Sequence, residues 1–106
     1  MTLDFNTVNS DSLKNNIIKI IKDENLKTWE IHNFKGNEYI KHVGQWGDKG
    51  VIELTSKNNN VQLNVQVLKF KSTDDKVEDF EGYYLGRFCE LMFVNFEDEF
   101  TSIYKS

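Results

Sequence analysis

The sequence contains no proline and only one cysteine, Cys89, in 106 residues. Without proline, no segment reads as a stiff polyproline linker or ligand. One cysteine permits neither an intrachain disulfide nor a thiolate zinc cluster. Long apolar runs are missing too. The longest, LMFV at residues 91–94, falls far short of the ~20 residues a membrane-crossing helix requires. The opening MTLDFNTVNSDS has neither the basic start nor the apolar stretch of a secretion signal. These absences predict a cytoplasmic, reduced protein with no membrane association. Basic residues are outnumbered, 13 against 17 acidic, for a net charge of -4. That balance repels phosphate backbones, so nucleic acid is not an expected partner.

What is present suits one folded domain. The length accommodates a single core, over residues 1–106. With 39% hydrophobic and 28% charged residues, the chain has the composition of a globular protein rather than a disordered one.

Residues 1–9 read as a loosely ordered polar lead with two anchors, Leu3 and Phe5. A helix is predicted over residues 12–24, capped by Ser10 or Asp11 and stopped at Asn25, with Leu13, Ile17, Ile20 and Ile21 on one face. Four strand-like segments follow: KTWEIHN, NEYIKHV, VIELTS and VQLNVQVLKF. In the last, Val61, Leu63, Val65 and Val67 alternate with Gln62, Asn64 and Gln66, the pattern of a strand with one wet face. The parity shift at Val67–Leu68 predicts a bulge or a second covering layer. Short intervening turns favour an antiparallel meander.

KSTDDKVED reads as a charged connector. From Phe80 onward Leu85, Phe88, Cys89, Met92, Phe96, Phe100 and Ile103 recur at helical spacing, while Tyr84, Leu91, Phe93 and Val94 lie off that stripe. A helix apolar around so much of its girth is buried centrally or awaits a partner. The competing reading makes residues 91–96 a fifth strand. The expected fold is α+β in two layers: an N-terminal helix, a four-stranded antiparallel meander and a long aromatic-rich C-terminal helix.

The segment that most resembles a motif is GQWGDKG, residues 44–50. A phosphate-binding P-loop needs G-x-x-x-x-G-K-[ST] between strand and helix. Here the lysine precedes the last glycine, no hydroxyl residue follows and the next segment is a strand. The dinucleotide pattern fails as well, because Gly44 and Gly47 are three apart. The stretch is read as a hairpin turn, with a positive φ expected at Gly50. Trp46 within it either folds over the sheet edge or projects as a contact residue.

His32 and His42, placed almost symmetrically about the turn NFKGN, are candidates to face one another, with Glu30 as a third metal ligand. Zinc takes three or four such groups, and no compact H-x-x-x-H spacing supports the site. The same histidines, with Glu30 or Glu53, are the only acid–base candidates. G-x-S-x-G is absent, and Cys89 on an apolar stripe reads as a small hydrophobe with a raised thiol pKa. Neither acidic run, at Asp74, Asp75, Glu78, Asp79 and Glu81 or at Glu97, Asp98 and Glu99, has the EF-hand pattern. Three acids at the end of a helix oppose its dipole, which points either to a break near residue 97 or to docking onto a basic partner.

No cofactor, metal or catalytic set is therefore expected, and the chain reads as a binder in preference to an enzyme. The predicted role is a small acidic interaction module that binds another protein, of inhibitor or immunity type, or forms a homodimer. Trp46, Asp48, Glu97, Asp98 and Glu99 are the expected partner contacts, and Tyr83, Tyr84, Arg87 and Leu91 a pocket or dimer surface. The alternative is a small-molecule site between the sheet and the C-terminal helix.

Overall fold

The alternation of Leu63, Val65 and Val67 organises the whole chain. A computed structural model describes residues 2–23, 26–44, 46–71 and 80–105. The elements run β1 (Thr2–Asn6), α1 (Ser10–Lys22), β2 (Trp29–Phe34), β3 (Asn37–His42), β4 (Gly50–Lys57), β5 (Gln62–Lys69) and α2 (Phe80–Asn95). A 3-10 turn (Glu97–Glu99) and β6 (Ser102–Lys105) complete them. The six strands form one antiparallel sheet in the order β2-β3-β4-β5-β1-β6. The fold is thus α+β, and the meander β2 to β5 makes up one side of the sheet, with β1 and β6 added beyond β5.

Two strands correct the expectation. The supposed loose lead is β1, which pairs with β5 on one side and β6 on the other. Its two anchors are the reason. Leu3 and Phe5 sit opposite Val65 and Leu63, and Phe5 is fully buried. The C-terminal stripe is split as well. α2 ends at Asn95, whose side-chain amide donates to the Leu91 carbonyl at 2.9 Å. Ile103 then pairs opposite Phe5 as part of β6, not on a helix. Residues 91–95 are helical, so the fifth-strand reading of 91–96 is set aside.

α1 begins two residues earlier than expected, with Asn9 as its cap: the Asn9 side chain accepts from the Ser12 amide at 3.0 Å. The site predicted for its stop, Asn25, lies outside the described residues. Asn60 fastens this helix end to the β4–β5 turn. Its side-chain oxygen accepts from the Ser10 hydroxyl (2.9 Å), the Asp11 amide (2.7 Å) and the Ser56 hydroxyl (3.2 Å). Its amide nitrogen donates to Asn9 at 2.9 Å. Asn58, Asn59 and Asn60 all have positive φ, a conformation asparagine tolerates better than most residues.

Leu13, Ile17 and Ile21 from α1 and Phe80, Tyr84, Leu85, Phe88, Leu91 and Met92 from α2 join one core. In it they meet Phe5, Trp29, Ile40, Ile52, Leu54, Leu63, Val65 and Val67. By register, all of these strand residues lie on the same face of the sheet. Both helices therefore cover that face. The β4–β5 ladder runs unbroken from Gly50–Lys69 to Lys57–Gln62, so the parity shift at Val67–Leu68 is not a bulge. Leu68 and Phe70 belong instead to a small apolar patch on the reverse face with Val51, His32, Phe34 and Tyr39. Val61, predicted on the buried face, precedes the strand and is exposed.

Phe5→Ala tests the central position of β1. The expected loss is about 3–5 kcal/mol in urea unfolding, as for a phenylalanine removed from a packed core. A loosely ordered lead would lose less than about 0.5 kcal/mol.

Candidate functional site

The two-residue turn Lys35–Gly36, with φ of 51° and 82°, is the tight mirror-image turn that matches strand twist. It fixes the β2–β3 register and so sets Trp29 directly opposite His42. Their rings meet edge to face with centroids 5.0 Å apart. The same register sets His32 opposite Tyr39, on the other face of the sheet. His32 and His42 therefore cannot converge, and the metal site suggested for the pair has no geometric basis. Among the described residues, no three His, Cys, Asp or Glu side chains are grouped to hold a metal ion.

Beyond His42 the strands β3 and β4 are joined by residues 43–49, the segment that resembled a phosphate loop. It connects antiparallel neighbours. Its glycines serve close approach more than turn geometry, because only Gly44 has a positive φ (118°). A Cβ at Gly47 would run into the His42 carbonyl oxygen, and one at Gly50 into that of Leu68. The positive φ predicted for Gly50 is therefore absent. Tyr84 staples the two ends of the segment. Its hydroxyl accepts from the His42 amide at 2.8 Å and donates to the Gly50 carbonyl at 2.9 Å. Burial pushes the Tyr84 phenol up to about 12, against the smaller opposing effect of the His42 amide bond.

Held this way, the segment lays Trp46 flat on Tyr83, with centroids 5.4 Å apart and ring planes within 4° of parallel. Trp46 also approaches His42 at 5.9 Å. Tyr83 itself stays 59% exposed. Positions 83, 87, 90 and 94 recur at helical spacing, so Tyr83, Arg87, Glu90 and Val94 line one outward stripe of α2. Arg87 pairs with Glu90 at 3.2 Å, both in water. Val94 is 76% exposed and the neighbouring Phe93 53%. Beside this ridge runs a groove of about 370 Å³, bounded on the sheet side by Leu26, Thr28, Trp29 and His42 and on the helix side by Arg87, Leu91 and Val94. His42 is one of the lining residues, and its Nδ1 atom is buried without a hydrogen-bond partner among the described residues. Burial lowers the His42 pKa, Arg87 lowers it further and Glu90 opposes both.

The expected contact residues fall in two places. Trp46 stands near the start of α2 through its stack on Tyr83, with the exposed Asp48 two residues further along the chain; Glu97 and Asp98, exposed, and Glu99, half-buried, follow the end of α2. At ~1.5 Å per residue, Tyr83 and Asn95 are ~18 Å apart along the helix. The acids do not load the helix dipole, since they lie past its last residue in a separate turn. Glu99 is tied down there: its carboxylate accepts from Asn16 at 3.3 Å and its carbonyl from the Thr7 hydroxyl at 2.6 Å. Of the expected pocket or dimer residues, Tyr83 and Arg87 are at the surface and Leu91 lines the groove, but Tyr84 is wholly buried. Of the first acidic run only Glu81 is among the described residues, in the first turn of α2; Asp74, Asp75, Glu78 and Asp79 lie outside them. Cys89 is half-buried, and burial raises its thiol pKa.

Against models of protein families, curated proteins and solved structures, the chain finds no match.

His42 gives the site a pH signature. The unfolded chain takes up a proton at about the ordinary value of 6.5, the folded chain only at lower pH. The folded form is thus at full advantage above that value and loses it as pH falls, until the folded imidazole also titrates. Urea midpoints measured between about pH 7.5 and about pH 5 should fall less steeply for His42→Gln than for wild type. Equal slopes would contradict this. Tyr84→Phe, which leaves a buried amide unpaired, should cost about 1–3 kcal/mol.

Proposed function

We propose that the protein is an interaction module that docks another protein on the ridge of α2, with the Trp46–Tyr83 stack at one end of the contact. The observation that carries this reading is the large apolar and aromatic surface that α2 keeps in water after its buried side is satisfied: Tyr83, Phe93 and Val94. Tryptophan, tyrosine and arginine are the side chains that dominate binding energy at protein interfaces, and Trp46, Tyr83 and Arg87 supply one of each. A stacked pair is already held in place before binding, which lowers the ordering cost. Asp48 at one end and Glu97 and Asp98 at the other flank the apolar centre with negative charge. The partner chemistry that complements them is an apolar contact bordered by lysine or arginine. An inhibitor or immunity-type factor that neutralises a basic protein has these requirements.

One observation favours a second reading, a small-molecule site in the groove beside α2: His42 lines it, and its buried Nδ1 has no partner among the described residues. A ligand offering a donor there would satisfy a buried acceptor.

Affinity capture from the source cell, with cross-linking to locate the contact, tests the first reading. Wild-type protein should retain a partner cross-linked to α2 and residues 46–49. Trp46→Ala with Tyr83→Ala should weaken retention about tenfold or more, and charge reversal at Glu97 and Asp98 by a smaller factor. Cross-links elsewhere, or retention unchanged in both variants, would overturn it. Groove shifts in NMR titration with a small-molecule library, and no partner captured, would favour the second reading.

A further inference from the structure

The two edges of the sheet are not alike. β6 is a four-residue strand at one edge. β2 at the other edge has six residues, one charged side chain (Glu30), no proline and no bulge in its ladder. Long, regular edges with few charges are the ones to which another strand adds. Among the described residues, no strand pairs with the outer side of β2.

The register tells which groups face outward. The Val43 amide donates to the Thr28 carbonyl at 2.8 Å, which makes residues 28 and 43 a bonded pair. Alternation then turns the inner bonds to residues 30, 32 and 34, and leaves the amides and carbonyls of Ile31 and Asn33 aimed away from the sheet. Side chains for an added strand to meet flank this edge on both faces. On the helix side Ile21, Leu26, Ile31 and Val43 line a groove together with Lys22, Lys27 and Glu30. On the reverse side Phe34, 55% exposed, borders a cleft of about 430 Å³ with His32, Tyr39, Val51, Leu68 and Phe70. A strand laid along β2 would seat alternate side chains over both.

We propose that the occupant is a second copy of this chain, joined through antiparallel β2–β2 pairing about a two-fold axis at Ile31. Outward groups of residues 31 and 33 allow only registers with odd residues opposite odd ones. Of these, the register centred on Ile31 sets Glu30 of each copy opposite His32 of the other, twice over, a carboxylate facing an imidazole. Centring on His32 instead sets the two imidazoles opposite each other and Glu30 opposite Phe34. The Ile31 register sets a carboxylate acceptor against an imidazole N–H donor and overlaps the strand from residue 28 to residue 34. It joins two six-stranded sheets into one.

Light scattering and sedimentation velocity on the purified full-length chain test this. Wild type should have twice the chain mass. Asn33→Pro removes an outward amide and no inner ladder bond, and should give a monomer with an unchanged circular dichroism spectrum. His32→Glu, at a half-buried surface position, opposes two carboxylates at each pair and should weaken dimerisation about tenfold or more. Glu30→Lys combined with His32→Glu should restore it. If Asn33→Pro does not fold, the charge exchange carries the test. A monomeric wild type overturns the proposal, as does a dimer that survives His32→Glu or that the charge exchange fails to restore. A dimer broken by Val94→Asp and not by His32→Glu would move the interface to α2 and overturn it equally.

Discussion

Two helices have to share one face of a sheet. The reverse face carries Asp4, Glu53, Thr55, Asn64 and Gln66 across its middle strands, with Asn64 donating to Asp4 at 2.8 Å, and so offers a helix little to bury against. α1 and α2 are therefore packed side by side on the apolar face, in one core. α1 has a single apolar stripe and is satisfied there. α2 is apolar over most of its circumference, and the share of the face left to it hides only part of that surface. Phe88 fills the centre, edge-on to both Phe5 and Trp29. Tyr83, Phe93 and Val94 are what remains outside, with Phe93 resting edge-on against Phe100. The exposed ridge follows from this division of one surface between two helices.

Turn chemistry decides where the ridge acquires its neighbours. Lys35–Gly36 sets the register that puts His42 beside Trp29, and the close approach at Gly47 brings Trp46 over Tyr83. Tyr84 then ties the segment to α2 through two hydrogen bonds. Backbone conformation, buried polar bonding and surface aromatics are consecutive links here, and a change in any one displaces the stack.

Much of this was legible in the residues. The alternation in β5, the apolar stripe of α1, the turn at 33–37 and the girth of α2 all act locally, and pattern reasoning reads local signals well. β1 escaped because five residues with two apolar anchors are too few to separate a strand from a lead; only the pairing of Phe5 with Leu63 decides it. β6 was hidden by coincidence, since Ile103 stands at helical spacing from Phe96 and Phe100 while its partner is Phe5 across the sheet. The acids at 97–99 did signal the helix end, because a helix does not gather negative charge at its carboxyl terminus without cost. The separation of His32 from His42 was also readable: a two-residue turn at 35–36 pairs residues whose numbers sum to a constant, and 32 and 42 do not meet. The groove at Trp29 was not readable, as it depends on how α2 lies across the sheet.

The account rests on a side of α2 that a single protomer leaves in water. Carbene footprinting of the free protein, resolved by residue, measures that most directly. Tyr83, Phe93 and Val94 should label strongly, and Tyr84, Phe88 and Met92 should stay unlabelled until the chain is unfolded. Protection of Tyr83 and Val94 in the free protein, at the level of Phe88, would contradict the division of the sheet face on which the ridge depends.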